Sequence, residues 1–195
     1  MDVKLEKFDL SIQNRDYNDD RVTYDALEAI QKHKVGVKCS TITPTPVRKA
    51  EFRLKKLWRS PNATLRHGLN GTLFHRPILF EKIPFLLSHW EKEIIIARHS
   101  HGDQFNSVDE RATKGGKLDM TFTPADGSMG WQKTVHQFKD SEDGGVFMAM
   151  YNSDESIRMF AHSCFQYAIA QKIPVKLATK QTMLTAYDGR WRNVF

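Results

Sequence analysis

Cysteine is scarce in this chain: only Cys39 and Cys164 occur among 195 residues. They lie far apart without metal-type spacing, which excludes a disulfide-stapled scaffold and a cysteine metal cluster. Both are expected to be buried free thiols in a reducing compartment. Long apolar runs are also missing, and none approaches the ~20 residues of a membrane-spanning helix. No glycine-rich dinucleotide fingerprint, internal repeat or low-complexity segment is present. No dense Lys/Arg tract is interleaved with aromatic residues, which argues against nucleic-acid binding. The N-terminus shows no signal peptide and no Ser/Arg-rich transit peptide, so cytoplasm is the expected compartment and the mitochondrial matrix the alternative. The sequons at Asn62 and Asn70 are read as chance matches.

What is present is ordinary in bulk and uneven in detail. A hydrophobic content of 40% and a charged content of 27% describe a globular chain of one domain or two small ones. The net charge of +6 suits an anionic ligand or a generally basic surface. Three basic clusters stand out: Ser60-Pro61-Asn62-Ala63-Thr64-Leu65-Arg66, Ala97-Arg98-His99, and Leu177-Ala178-Thr179-Lys180-Gln181-Thr182. The first and third pair a cation with small hydroxyl or amide residues, and the second sets Arg98 beside an imidazole, the chemistry that orients a polycarboxylate. Arginine offers a planar fork and lysine a point charge whose pKa burial lowers.

Periodicity predicts an alternating α/β order. Val3, Leu5, Phe8, Leu10 and Ile12 read as an irregular strand. Asp19 and Asp20 offer caps to a helix carrying Val22, Ala26, Leu27 and Ile30. Val35 to Cys39 reads as a short buried strand, and Thr41 to Pro46 as a loop. Arg48 to Trp58 reads as a helix with Phe52, Leu54, Leu57 and Trp58 inward. Glu93 to Arg98 is a β-branched strand ending on a cation. Leu118, Met120 and Phe122 alternate before a turn at Pro124 to Ser128, and Trp131 to Phe138 returns as the second arm of an antiparallel hairpin. The loop Asp140 to Gly145 is acidic and reads as a solvated turn, with calcium binding as the alternative. Asn152 or Ser153 caps a helix whose inward face is Ile157, Phe160, Ala161, Cys164, Tyr167 and Ala168. Pro174 to Thr179 reads as a strand delivering Lys180. Ser60 and Asn62, taken alone, read as helix caps. His99 and His101 alternate and leave open a zinc pair without further ligands.

The segments Lys38 to Pro44, Trp58 to Asn62, Arg98 to Gln104, Met150 to Ile157, Phe160 to Ser163, Thr179-Lys180 and Tyr187 to Arg190 resemble those of the eukaryotic-type NADP-dependent isocitrate dehydrogenases, from about Val3 to Phe195. The resemblance implies an isocitrate/isopropylmalate dehydrogenase-like α/β fold. It comprises a partial large domain at 1–69, a small α/β domain at 70–102 and 154–195, and an antiparallel clasp at 103–153 that joins two subunits into a homodimer. A surface hairpin of a monomer is the alternative for the clasp. The activity implied is oxidative decarboxylation of isocitrate to 2-oxoglutarate with NADP and Mg²⁺ or Mn²⁺. Substrate contacts fall on Thr43, Ser60, Asn62, Arg66 and Arg98. Cofactor contacts fall on Lys38, Thr41, Ile42, Thr43 and Arg48, and the catalytic lysine is Lys180.

The chain also departs from that pattern. Phe105 stands where the resemblance implies a catalytic tyrosine, and without a hydroxyl it can neither donate nor accept a proton. His75 stands where a substrate-binding arginine is implied, and it has no bidentate fork. Ala63 and Ala97 replace glycines beside binding residues. The metal-ligating aspartates of the pattern fall beyond Phe195, so no metal ligand is assigned and the isolated chain is expected not to turn over. The alternatives to a lone enzyme are a fragment, a non-catalytic paralogue acting as a dimerisation and anion-binding module, and a gene remnant.

Overall fold

In a computed structural model, residues 3–80, 82–84, 89, 92–140 and 144–195 are described. The chain divides into two compact units, one formed by Met1–Phe105 with Asn152–Phe195 and the other by Asn106–Tyr151.

In the first unit, α1 (Ile12–Tyr17) and α2 (Arg21–His33) are joined by a tight bend. Ser11 caps α1 by accepting a hydrogen bond from the Asn14 amide at 3.4 Å. Asp20 sits at the cap position of α2, as the sequence indicates, but in a left-handed conformation with its carboxylate turned elsewhere. That carboxylate accepts from Arg15 Nε at 2.6 Å and from the Thr23 hydroxyl at 2.5 Å, and the Arg15 side chain is fully buried. Arg15 also donates to the Arg59 carbonyl, 44 residues away, which fixes the chain just before Pro61. Ile12, Leu54 and Trp58 form the adjoining core, with Phe52 against it.

Several expected elements are shorter or absent. Residues 3–11 and 35–39 lie outside any helix or strand. An extended segment is held as a strand by a neighbour's backbone hydrogen bonds, and no strand pairs with either segment among the described residues. Val37 is 96% exposed and Cys39 is exposed, so neither the buried strand nor a buried Cys39 holds. The helix expected over Arg48 to Trp58 is instead α3 (Pro46–Glu51), opened by Thr45 and a proline in its first turn. It stops because Arg53 takes a positive φ of 51°, a left-handed residue that ends helical hydrogen bonding. Leu54 and Trp58 still turn inward, whereas Leu57 is half exposed.

α4 (Pro61–Gly68) follows, with proline in the first turn where its missing N–H costs nothing. β1 (Thr72–His75) and β2 (Ile96–His99) pair antiparallel, Leu73 opposite Arg98 and His75 opposite Ile96. The second strand thus begins later than Glu93. α5 (Asp154–Gln171) is capped by Ser153, whose hydroxyl accepts from the Ser156 amide, and Asp154 and Glu155 complement its dipole. Ile157, Phe160, Ala161, Cys164 and Ala168 are buried as expected, and Tyr167 stacks on Phe74 at 4.1 Å. Pro174 to Thr179 forms no strand; Lys180 instead opens a turn leading into α6 (Tyr187–Val194).

In the second unit, β3 (Val108–Ala112) pairs with β6 (Gly145–Ala149), and β4 (Gly116–Phe122) pairs with β5 (Trp131–Phe138). The second pair is the expected hairpin, with a register irregularity between Leu118 and Asp119. Gly144 has φ +61°, and a Cβ there would lie 2.1 Å from the Ala112 carbonyl oxygen, so glycine is required. The calcium reading of Asp140 to Gly145 falls largely on 141–143, outside the described residues.

Candidate functional site

Asn62, Leu65, Arg66 and Leu69 follow the i, i+3, i+4, i+7 spacing that places them along one face of α4. That face, with Ile30 of α2 and the 36–40 segment, borders an open cavity of about 410 Å³ lined also by Gly36, Lys38, Cys39 and Ser40. Its lining combines apolar Ile30, Leu65 and Leu69 with two cations, an amide and a hydroxyl. Lys38 Nζ donates to Thr41 Oγ1 and to the Cys39 carbonyl, both at 2.9 Å. Burial, then the positive fields of Arg66 and Arg15, push the Lys38 ammonium below its ordinary pKa. A cation disfavoured in this way gains from an anionic ligand.

Of the residues expected from the sequence, Lys38, Asn62 and Arg66 are brought together at this cavity. Thr41 joins them through its bond to Lys38. Ser60 occupies the N-cap position of α4, yet its side chain makes no capping hydrogen bond, so the hydroxyl is not spent on the helix end. Thr43, Ile42 and Arg48 are exposed on the loop and first turn leading through α3 and do not line the cavity. His75 is exposed at the end of β1; neighbouring Arg76 is paired with Glu93 at 2.5 Å. Arg98 is exposed on β2 with its guanidinium 4.7 Å from the Phe105 ring centroid. The Phe105 carbonyl accepts a hydrogen bond from Arg59, just before Ser60. Lys180 is exposed, and its backbone N–H donates to Asp188 at 2.5 Å.

A second constellation escaped the sequence reading. His99 Nδ1 lies 3.2 Å from Asp103 Oδ2, and His99 Nε2 lies 2.5 Å from the Ser156 hydroxyl. Asp103 also accepts from Tyr187 and, at 3.1 Å, from Asn152. Burial alone would raise the Asp103 pKa, but the bonds from His99 and Tyr187 outweigh it and hold the carboxyl below its usual range. The Tyr187 phenol is pushed up by burial and by the Asp103 carboxylate it bonds. His101 stacks on His67 at 4.5 Å, and burial, then neighbouring His67 and His99, keep it below the ordinary imidazole value. With His99 occupied in this way, the zinc pair has no footing; among the described residues no three His, Cys, Asp or Glu side chains group to hold a metal ion. His99 and Asp103 stand four residues apart in the quoted Arg98 to Gln104 segment, a spacing that could have signalled the pair. Nothing local signalled Ser156 or Tyr187.

Comparison with known proteins follows the same lines. A family model described as isocitrate/isopropylmalate dehydrogenase matches residues 1–195. Over 195 residues the chain is 51% identical to the mitochondrial NADP isocitrate dehydrogenase of Homo sapiens, covering 100% of this chain and 42% of that protein. It is 51% identical to the mitochondrial enzyme of Sus scrofa, covering 46% of that protein, and 47% identical to the cytoplasmic enzyme of Dictyostelium discoideum, covering 47% of it. The chain thus spans less than half the length of these relatives.

Proposed function

The chain belongs to the isocitrate/isopropylmalate dehydrogenase family, and we propose that it binds an isocitrate-like tricarboxylate without oxidising it as an isolated chain. The observation that carries this reading is the convergence of Lys38, Asn62 and Arg66 on one cavity, where burial and crowded positive charge already disfavour the free lysine cation. Arg66 and Arg98 would neutralise carboxylates, and Ser60, Asn62 and Thr43 would orient them. Exposed His75 supplies at most a single hydrogen bond where a guanidinium would supply two. NADP, named for the relatives, would lie along Lys38, Thr41, Ile42, Thr43 and Arg48, with Arg48 on a phosphate. Bound there, it would supply a hydride acceptor.

The described residues do not fit a resident Mg²⁺ or Mn²⁺, because no three candidate ligands are grouped. No step is therefore derived through a metal. Lys180 would take part in proton handling. Phe105, which supports Arg98 through its ring, has no hydroxyl with which to complete the transfer. Loss of one positioned acid lowers a rate by roughly 10²- to 10⁴-fold.

In the same reading, 1–69 is part of a large domain, 70–102 with 154–195 a small domain, and 103–153 a clasp. Val108, Met120, Phe122, Val135, Val146 and Met148 of the second unit are large apolar residues left exposed, which supports pairing with a second copy of the chain. Relatives occur in mitochondria and in cytoplasm, and cytoplasm is retained as the proposed compartment.

Calorimetric titration of the chain with isocitrate tests the reading, with Arg66→Ala as control and NADPH absorbance followed alongside. Binding lost in Arg66→Ala, with no NADPH formed, is the expected result. Absence of binding by the parent chain refutes the ligand site, and steady NADPH formation refutes the claim of inactivity.

A further inference from the structure

α6 touches the candidate site at two places from a single helical turn. Tyr187 donates its phenolic hydrogen to Asp103 Oδ1. The next residue, Asp188, accepts the backbone N–H of Lys180 on Oδ2 at 2.5 Å. The helix is itself anchored: Arg190 Nε donates to Asp154 Oδ1 of α5 at 2.8 Å, with a second bond to Oδ2. Trp191 meets His99 edge-on at 5.1 Å and Phe160 at 5.7 Å.

Behind Tyr187 the contacts continue to Arg98. Asp103 Oδ2 is 3.2 Å from His99 Nδ1, and the opposite imidazole nitrogen is 2.5 Å from Ser156 on α5. Arg98 and His99 are consecutive in β2, so their side chains leave opposite faces of the strand. The inner face is therefore locked by His99 while the outer face presents Arg98, exposed and stacked on Phe105. The Ser156–His99–Asp103 sequence has the order of a hydrolytic triad, but its serine is 1% exposed in the first turn of α5 and cannot reach a substrate. These bonds hold the strand end in place; they do not activate a nucleophile.

We propose that the first turn of α6 is a positioning element, Tyr187 setting Arg98 through Asp103 and His99, and Asp188 setting Lys180 through its amide. The proposal rests on the tricarboxylate-binding reading above. It assigns roles to two residues outside the proposed ligand contacts. Both bonds come from one rigid turn, so the spacing between the strand end and the lysine turn is fixed by helical geometry instead of by a loop.

The test uses the full chain with Tyr187→Phe, Asp188→Ala and Asp188→Asn. NMR reads the Arg98 Nε–H resonance and the exchange rate of the Lys180 amide, and calorimetry reads isocitrate affinity. Tyr187→Phe is expected to shift the Arg98 resonance, leave Lys180 protected and weaken isocitrate about tenfold. Asp188→Ala is expected to speed Lys180 exchange about tenfold without moving Arg98. Asp188→Asn, whose amide oxygen still accepts, restores protection, a rescue that a fold-wide effect would not give. Unchanged Arg98 and Lys180 signals in both variants overturn the proposal, as does a Tyr187→Phe chain that binds isocitrate like its parent. If the parent binds no isocitrate while the NMR responses appear as expected, the ligand reading falls and the positioning by α6 stands.

Discussion

Replacing Arg15 by methionine tests the most buried charge among the described residues. Arg15 is fully buried, and its partner Asp20 keeps only 8% of its side-chain surface exposed. In Arg15→Met the Asp20 carboxylate keeps the Thr23 hydroxyl at 2.5 Å but loses its counter-ion, and the Arg59 carbonyl loses its donor. Breaking a buried pair by removing one member costs about 3–5 kcal/mol, because the remaining charge stays desolvated. Arg15 Nη1, which has no hydrogen-bond partner, moderates that cost because its own desolvation is relieved. A net loss of about 3 kcal/mol follows, read as a lower urea midpoint at unchanged slope. Adding Asp20→Asn removes the stranded charge and retains a residue that tolerates the left-handed backbone there. The double variant is therefore expected to be more stable than Arg15→Met alone. A loss below about 1 kcal/mol in the single variant, or no recovery in the double, refutes the argument.

Three further outcomes follow from the site and its surroundings. Isocitrate titrated across alkaline pH up to the ordinary lysine value of 10.5 is expected to draw a proton onto the protein, since an anion beside Lys38 restores the ammonium that burial, Arg66 and Arg15 disfavour; binding heats identical in buffers of different ionisation enthalpy throughout that range refute this. A thiol reagent at neutral pH is expected to modify exposed Cys39 and spare Cys164, which is buried with its thiol pushed up to about 11, as peptide mapping would show. On acidification, stability is expected to fall first below the ordinary imidazole value of 6.5, because folded His101 resists a proton that the unfolded chain accepts. A second loss is expected below 3.8, where unfolded carboxyls protonate before Asp103 does, and pH-dependent urea midpoints read both steps.

Local pattern made some elements legible and left others hidden. The β4–β5 hairpin, the Ser153 cap and the buried stripe of α5 were readable because the signals lie within one element: alternation, a hydroxyl before two acids, and helical spacing. The broken alternation over 3–11 and the short apolar run over 35–39 also read as strands, yet a strand needs a neighbour's backbone, which sequence pattern cannot supply. The end of α3 at Glu51 turned on one left-handed residue, Arg53, a conformation no arginine advertises. In the site, Asn62 and Arg66 were singled out because both fall in the Ser60 to Arg66 cluster and in the resemblance, while the helix that sets them on one face was not foreseen. The bond from Tyr187 to Asp103 spans 84 residues of sequence and was visible only in the fold. Asp20 shows the intermediate case: its cap position was legible, but its use by Arg15 was not.

In the proposed reading Phe105 would separate binding from turnover, and two substitutions there test that division. Its ring lies 4.7 Å beneath the Arg98 guanidinium, and its carbonyl holds Arg59 beside Ser60. A tyrosine ring would make the same stacking contact, so Phe105→Tyr is expected to keep isocitrate affinity within about twofold. Phe105→Ala removes the ring, and the lost cation–π support of about 0.5–1 kcal/mol is expected to weaken isocitrate roughly two- to fivefold. The backbone bond to Arg59 survives both changes, so neither should disturb the start of α4. If affinity instead follows the hydroxyl, rising in Phe105→Tyr and staying level in Phe105→Ala, the ring is not what supports Arg98. The aromatic face at this position then has no binding role, and the separation argued here fails.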